Sequence, residues 1–154
     1  MPKVKVIHQG TQDIIIRAVN SLVDFIKPTY GPAANKAIIS KKMYKMVVDD
    51  GVQIARDFEL EDEAEDSIVK IVREVAIRTN DRVGDGTTCS LILTQGIMNE
   101  IDRLRGKITG LEVEAELKSG LEDAKKQLQK MARPIRNKED LKKVAKVSFN
   151  NEEI

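Results

Sequence analysis

From Ile14 onward the apolar residues Ile14, Ile15, Ala18, Val19, Leu22, Val23 and Ile26 recur every three or four positions. This spacing predicts a helix with one buried face, started by Thr11 as N-cap and ended at Pro28. Before it, Lys3-Val4-Lys5-Val6 alternates polar and apolar and reads as a short strand. After it, Thr29-Tyr30-Gly31-Pro32 is a loop. Ala37-Ile38-Ile39 and Met46-Val47-Val48 then predict two short strands, joined through Ser40 to Lys45 as a hairpin. Asp49-Asp50-Gly51 punctuates the chain.

The second stretch of helical spacing, Ile68, Ile71, Val72, Val75 and Ala76, follows the acidic run Glu59 to Asp66. Carboxylates at a helix start complement its dipole, so that run reads as a solvated helix start and not as a metal site. Cys89 to Ile101 is nearly apolar all round and predicts a central buried helix. Gly106 to Gly110 breaks the chain. Val113, Leu117, Leu121, Ala124, Leu128 and Met131 form a narrow stripe on a long charged helix, expected in the core, with heptad-like spacing that also permits a partner helix. Pro134 ends that helix, and Asn137 is placed to cap a last one carrying Leu141 and Val144.

Composition narrows the function classes. The 154 residues are 33% charged and 41% hydrophobic, in keeping with a soluble, largely helical chain with a real core. A net charge of +1, aromatics at 3% and the absence of Trp argue against nucleic acid as a partner. No apolar run is long enough to span a membrane, and the N-terminus lacks a signal-peptide apolar region. The single cysteine, Cys89, excludes an internal disulfide and fits a reducing compartment. The expected location is the cytosol, or an organelle matrix after loss of a transit peptide. His8 has no ligand partner at metal spacing, and Cys89 has no base nearby in sequence.

The candidate chemistry lies in Gly84-Asp85-Gly86-Thr87-Thr88, between the acidic helix and the apolar one. Glycines let the backbone approach a ligand, and hydroxyls with the N–H groups of a helix start can hold phosphate oxygens. The carboxylate of Asp85 repels bare phosphate unless Mg²⁺ lies between them. There is no Gly-Lys-Ser/Thr of a Walker A loop, and the glycine spacing is wrong for a Rossmann fingerprint. Alone, the motif is more often a turn and cap, and Asp50 a turn former. Together with Thr29 to Pro32 and Asp50-Gly51 it makes a candidate Mg-nucleotide pocket.

In order and spacing, Thr29-Tyr30-Gly31-Pro32, Asp50-Gly51-Val52 with Ile54-Ala55-Arg56, Glu59-Leu60-Glu61-Asp62, and Asn80-Asp81 with Gly84 to Thr88 resemble the chaperonins. The Ala55-Arg56 and Glu59 to Asp62 flanks resemble the group I type. Leu117 to Gly120 and Val144 to Glu153 share the likeness, which covers almost the whole chain. The resemblance implies a mainly α fold. Residues 1–131 would be the N-terminal half of an equatorial, ATP-binding domain, with a short N-terminal strand and a small β-hairpin, and residues 132–154 the start of an intermediate domain.

It also implies roles. Thr29, Tyr30, Gly31 and Pro32 would line the phosphates and base. Asp50, near the attacking water, and Gly51 would flank the phosphates. Asp85 would hold Mg²⁺, and Gly86, Thr87, Thr88 and Cys89 the phosphate oxygens. Val147 would lie near the adenosine, and Thr29, Asp49 and Thr88 around K⁺. The activity implied is ATP binding and hydrolysis that drive ring changes assisting protein folding. Implied partners are ring neighbours, which pair with the hairpin, unfolded clients held by an apical domain, and a co-chaperonin.

The chain departs from the family with Ala33-Ala34-Asn35 and Asp49 where basic residues are usual, and with Cys89 for a third Thr. These departures are expected of a divergent, phage-type member. The apical domain, the second equatorial half and the segment carrying the main hydrolytic Asp have no counterpart in these residues. The chain therefore reads as a fragment, and the rival expectation is a non-hydrolysing helical module that caps or regulates a ring.

Overall fold

A computed structural model describes residues 10–31, 34–40, 45–48 and 50–149, residues 148 and 149 by their backbone alone. The expected strand at Lys3 to Val6, with His8, Pro32 and Asp49, lies outside the described residues. The fold is mainly α, as expected: six α-helices and one two-stranded sheet among the described residues. The chain divides into two compact units, one through Arg105 and one from Gly106.

In the first unit, helix α1 (Thr11–Ile26) buries Ala18, Val19, Leu22, Val23 and Ile26, the face its spacing predicts. It starts one residue earlier than expected. Gly10, at φ 69°, occupies the cap position, and its carbonyl accepts from Ile14 N–H at 3.0 Å. A left-handed turn at glycine brings Thr11 into the helix itself. After a 3₁₀ turn, Lys27–Thr29, come strands β1 (Ala37–Ser40) and β2 (Lys45–Val48). They pair antiparallel, with Ala37 opposite Val48 and Ser40 opposite Lys45. Pleating turns Ala37, Ile39, Met46 and Val48 toward the helices and leaves Ile38 and Val47 exposed.

Helix α2 (Gly51–Asp57) is an element the apolar pattern did not predict. The Asp50 carboxylate caps it, accepting from Val52 N–H at 3.0 Å, and Val52, Ile54 and Ala55 enter the core. Helix α3 (Glu63–Val83) is capped by Asp62, which accepts from the N–H groups of Ala64 and Glu65, each at 2.9 Å. Its buried residues are Val69, Val72 and Ala76. Helix α4 (Thr87–Arg103) packs on α1 and α3. It is not buried all round: Thr87, Leu91 and Gln95 are buried, Ile92 and Met98 are half-buried, and Leu93 stays 61% exposed. With its described neighbours on one side, a largely apolar helix still buries a single stripe.

In the second unit, helix α5 (Gly110–Met131) begins with a capping box, Thr109 and Glu112 each bonding the other's backbone N–H. None of its residues is buried, so the stripe from Val113 to Met131 is not core here. Asn137 caps helix α6 (Lys138–Phe149) as expected, its side-chain oxygen accepting from Asp140 N–H at 2.8 Å.

Candidate functional site

The turn between α3 and α4 follows from its two glycines. Gly84 (φ 76°) ends α3, with its N–H on the Asn80 carbonyl at 2.8 Å, and Gly86 (φ 78°) precedes α4. Both are left-handed, a conformation costing other residues roughly 1–2 kcal/mol. Asp85, exposed between them, accepts from Gly86 N–H at 2.6 Å. The first intrahelical bond of α4 runs from Ser90 N–H to the Gly86 carbonyl at 2.9 Å. The N–H groups of Thr87, Thr88 and Cys89 therefore lie ahead of the helix ladder, and no side chain caps this start among the described residues. With the helix dipole behind them they suit an anion.

Two other loops meet this start. Gly51 is buried against it, so that a Cβ there would fall 2.1 Å from Thr88 Oγ1 and 3.3 Å from Thr87 Oγ1. The 3₁₀ turn at Lys27–Thr29 packs on α4, and Thr29 Oγ1 donates to the Ile26 carbonyl at 2.8 Å. Beyond the turn, the Cys89 thiol beside the Tyr30 hydroxyl holds that phenol above its ordinary range, first by hydrogen bonding and then by charge. Thr29 and Tyr30, Gly51, and Thr87 to Cys89 thus share one end of the α1, α2 and α4 cluster.

The remaining expected residues stand differently. Asp50 spends one carboxylate oxygen on the α2 cap. Gly31 (φ 96°) is exposed beside Tyr30. Val147 belongs to α6 in the second unit and is 84% exposed. Among the described residues no three His, Cys, Asp or Glu side chains group as a metal cage. A single carboxylate such as Asp85 suits Mg²⁺ that also takes phosphate oxygens, because this ion is commonly held by one or two carboxylates plus substrate. An open crevice of about 300 Å³ lies between Asp24, Phe25, Asn35, Lys36 and Ile38 and touches this loop cluster at Pro28 and Thr29.

The residue pattern gave no role to Gln95, which is buried on α4 and bonded to Asn20 and Asp24 of α1. The signal was a carboxamide two turns below Thr87 on an otherwise apolar stretch.

The model of the TCP-1/cpn60 chaperonin family matches residues 22–154. Among solved structures, the chain is similar to the chaperonin gp146 from the bacteriophage EL 2 (Pseudomonas aeruginosa), crystallised in presence of ATP-BeFx. In crystal form I the identity is 26% and the TM-score 0.78, covering 95% of this chain and 26% of that one. In crystal form II the identity is 22% and the TM-score 0.71, covering 94% and 28%. The chain spans about a quarter of the length of these relatives.

Proposed function

The chain belongs to the TCP-1/cpn60 chaperonin family, and from this premise we propose that residues 1–131 are an ATP-binding half-domain and residues 132–154 the start of an intermediate domain. The observation that carries the nucleotide reading is the seating of Gly51 on Thr88. It leaves no room for a Cβ and holds a second backbone against the uncapped start of α4. Crystallisation of the similar phage chaperonin in presence of ATP-BeFx supports the same ligand class.

In this reading the N–H groups of Thr87, Thr88 and Cys89 and the two threonine hydroxyls take phosphate oxygens, with Gly86 allowing their close approach. Asp85 would hold Mg²⁺, which would supply charge neutralisation for the phosphates. Thr29, Tyr30, Gly31 and Pro32 form the opposite lip, and Asp50 and Gly51 flank the phosphates, Asp50 nearest the attacking water. Thr29, Asp49 and Thr88 would serve K⁺, and Val147 the adenosine. The reaction is ATP hydrolysis coupled to ring movements that assist protein folding, in a cytoplasmic homo-oligomer acting on unfolded clients. Those clients would be held by an apical domain, with a co-chaperonin.

The test is calorimetric titration of the protein with ATP, with and without Mg²⁺. Asp85→Ala should weaken binding at least about tenfold in Mg²⁺, where the metal-bridged contact is lost, and should not weaken it without the metal, where a carboxylate that repels bare phosphate is removed. Equal affinity of wild type and variant in Mg²⁺ would remove Asp85 from the site.

A further inference from the structure

Gln95 and Thr87 are the buried polar side chains among the described residues. Gln95 sits two turns below Thr87 on the shielded stripe of α4. Its carboxamide nitrogen uses both hydrogens, donating to Asn20 Oδ1 at 3.0 Å and to Asp24 Oδ1 at 2.8 Å. One turn further along, Asn99 Nδ2 donates to the same Asn20 oxygen at 3.2 Å, and Asn20 Nδ2 donates to Asn99 Oδ1 at 3.3 Å. A polar seam thus runs along the α1–α4 contact, from buried Gln95 out to exposed Asp24, beside the apolar packing of the core.

Apolar side chains tolerate small slides of one helix along another, because packing is non-directional. A forked donor does not. Moving α4 by one residue shifts it about 1.5 Å and turns it about 100°, which takes both hydrogens off their acceptors. Leaving a buried amide unpaired is costly, so the seam selects one register. The two helices it joins lead directly to the loops of the candidate site: α1 into Thr29 and Tyr30, α4 out of Thr87 to Cys89.

We infer that Gln95 is a positioning residue. By bridging Asn20 and Asp24 it fixes how far α4 stands along α1, and so where Thr88 and Cys89 stand against Gly51 and Tyr30. Its consequence for nucleotide affinity rests on the proposed ATP site; its consequence for the Tyr30–Cys89 contact does not.

A charge swap tests it. Gln95→Glu alone sets a second carboxylate against Asp24 and the Asn20 oxygen. Adding Asp24→Asn restores a donor toward the introduced carboxylate, and Asn20 can turn its amide to donate as well. Cys89 is the one cysteine of the sequence, so its rate of modification by a thiol reagent reads the Tyr30–Cys89 geometry without any nucleotide. Gln95→Glu should speed modification about tenfold and weaken Mg-ATP binding about tenfold. The double variant should return both within about threefold of wild type. Val69→Ala, a buried truncation on α3, should lower the Tm comparably yet leave the Cys89 rate within about twofold.

The inference is overturned if Gln95→Glu leaves the Cys89 rate unchanged, if the double variant fails to recover it, or if Val69→Ala raises it equally. A wild-type protein that binds no Mg-ATP while the Cys89 rates follow the expected order would overturn the nucleotide reading and uphold the positioning role.

Discussion

Replacing Gly51 with alanine adds one methyl group where the structure has least room. The new Cβ would lie 2.1 Å from Thr88 Oγ1, about 0.9 Å inside the 3.0 Å that Cβ atoms respect, and 3.3 Å from Thr88 Cβ. Two movements relieve the overlap. Helix α2 can back away from α4, or Thr88 can rotate its hydroxyl off the start of α4. Overpacking of this kind costs about 1–3 kcal/mol. The φ of Gly51 is not in the left-handed region, so alanine also gains about 0.4–1 kcal/mol by restricting the unfolded chain. The net loss of about 1–2 kcal/mol lowers the Tm by roughly 2–8 °C at this chain length. Both relief movements disturb Thr88, so Mg-ATP affinity should fall as well. Adding Thr88→Ala removes the atom struck, and the pair should show a coupling of about 1 kcal/mol or more in thermal melts. A Gly51→Ala protein as stable as wild type, with unchanged affinity, would refute the steric argument and the seating of Gly51 on Thr88 in the proposed site.

Asp62→Ala should lower stability by about 1 kcal/mol, because it leaves the Ala64 and Glu65 N–H groups uncapped; an unchanged thermal midpoint would exclude that cap. Asp66 is held below the ordinary carboxylate range, first by its hydrogen bond with Lys70 and then by the Leu60 N–H. As pH falls the unfolded chain therefore takes up this proton first. The contribution of Asp66 is complete above the ordinary carboxylate range and is lost as pH drops toward its lowered value. Denaturant midpoints between about pH 6 and pH 3 should fall less steeply in Asp66→Asn than in wild type.

Helix α1 was legible because its five buried residues all obey one period, and period is what sequence displays. The hairpin was legible from two short apolar, β-branched runs with a link between them, although those runs do not alternate and so did not show that Ile38 and Val47 face outward. Helix α2 was not, since seven residues give too few turns to establish a period, and Asp50-Gly51 reads equally well as a turn. The apolar content of α4 was read correctly and its surroundings were not: hydropathy reports what a helix could bury, whereas packing on α1 and α3 decides that Leu91 is buried and Leu93 exposed. The bonds of Gln95 are tertiary in origin: a carboxamide among apolar residues marks the position, but not its partners on α1.

The glycines of the candidate site show why residue type alone left its geometry open. Gly84 and Gly86 are required by backbone conformation: both have positive φ, and nothing lies within 4 Å of where a Cβ would be. Gly51 is required by space: its φ suits any residue, but Thr87 and Thr88 occupy the volume. In sequence all three read as flexible punctuation next to an aspartate. Only the first kind is local, and it could be anticipated from the turn that must join α3 to α4. The second kind depends on a residue 37 positions away, counting from Gly51 to Thr88. The same separation divides the roles of the neighbouring aspartates. Asp85 stands exposed on a turn made by its own flanking glycines, whereas Asp50 caps α2 and so anchors the backbone that presses on Thr88. Asp85 therefore bears on the site through its own carboxylate, and Asp50 also through the position of Gly51.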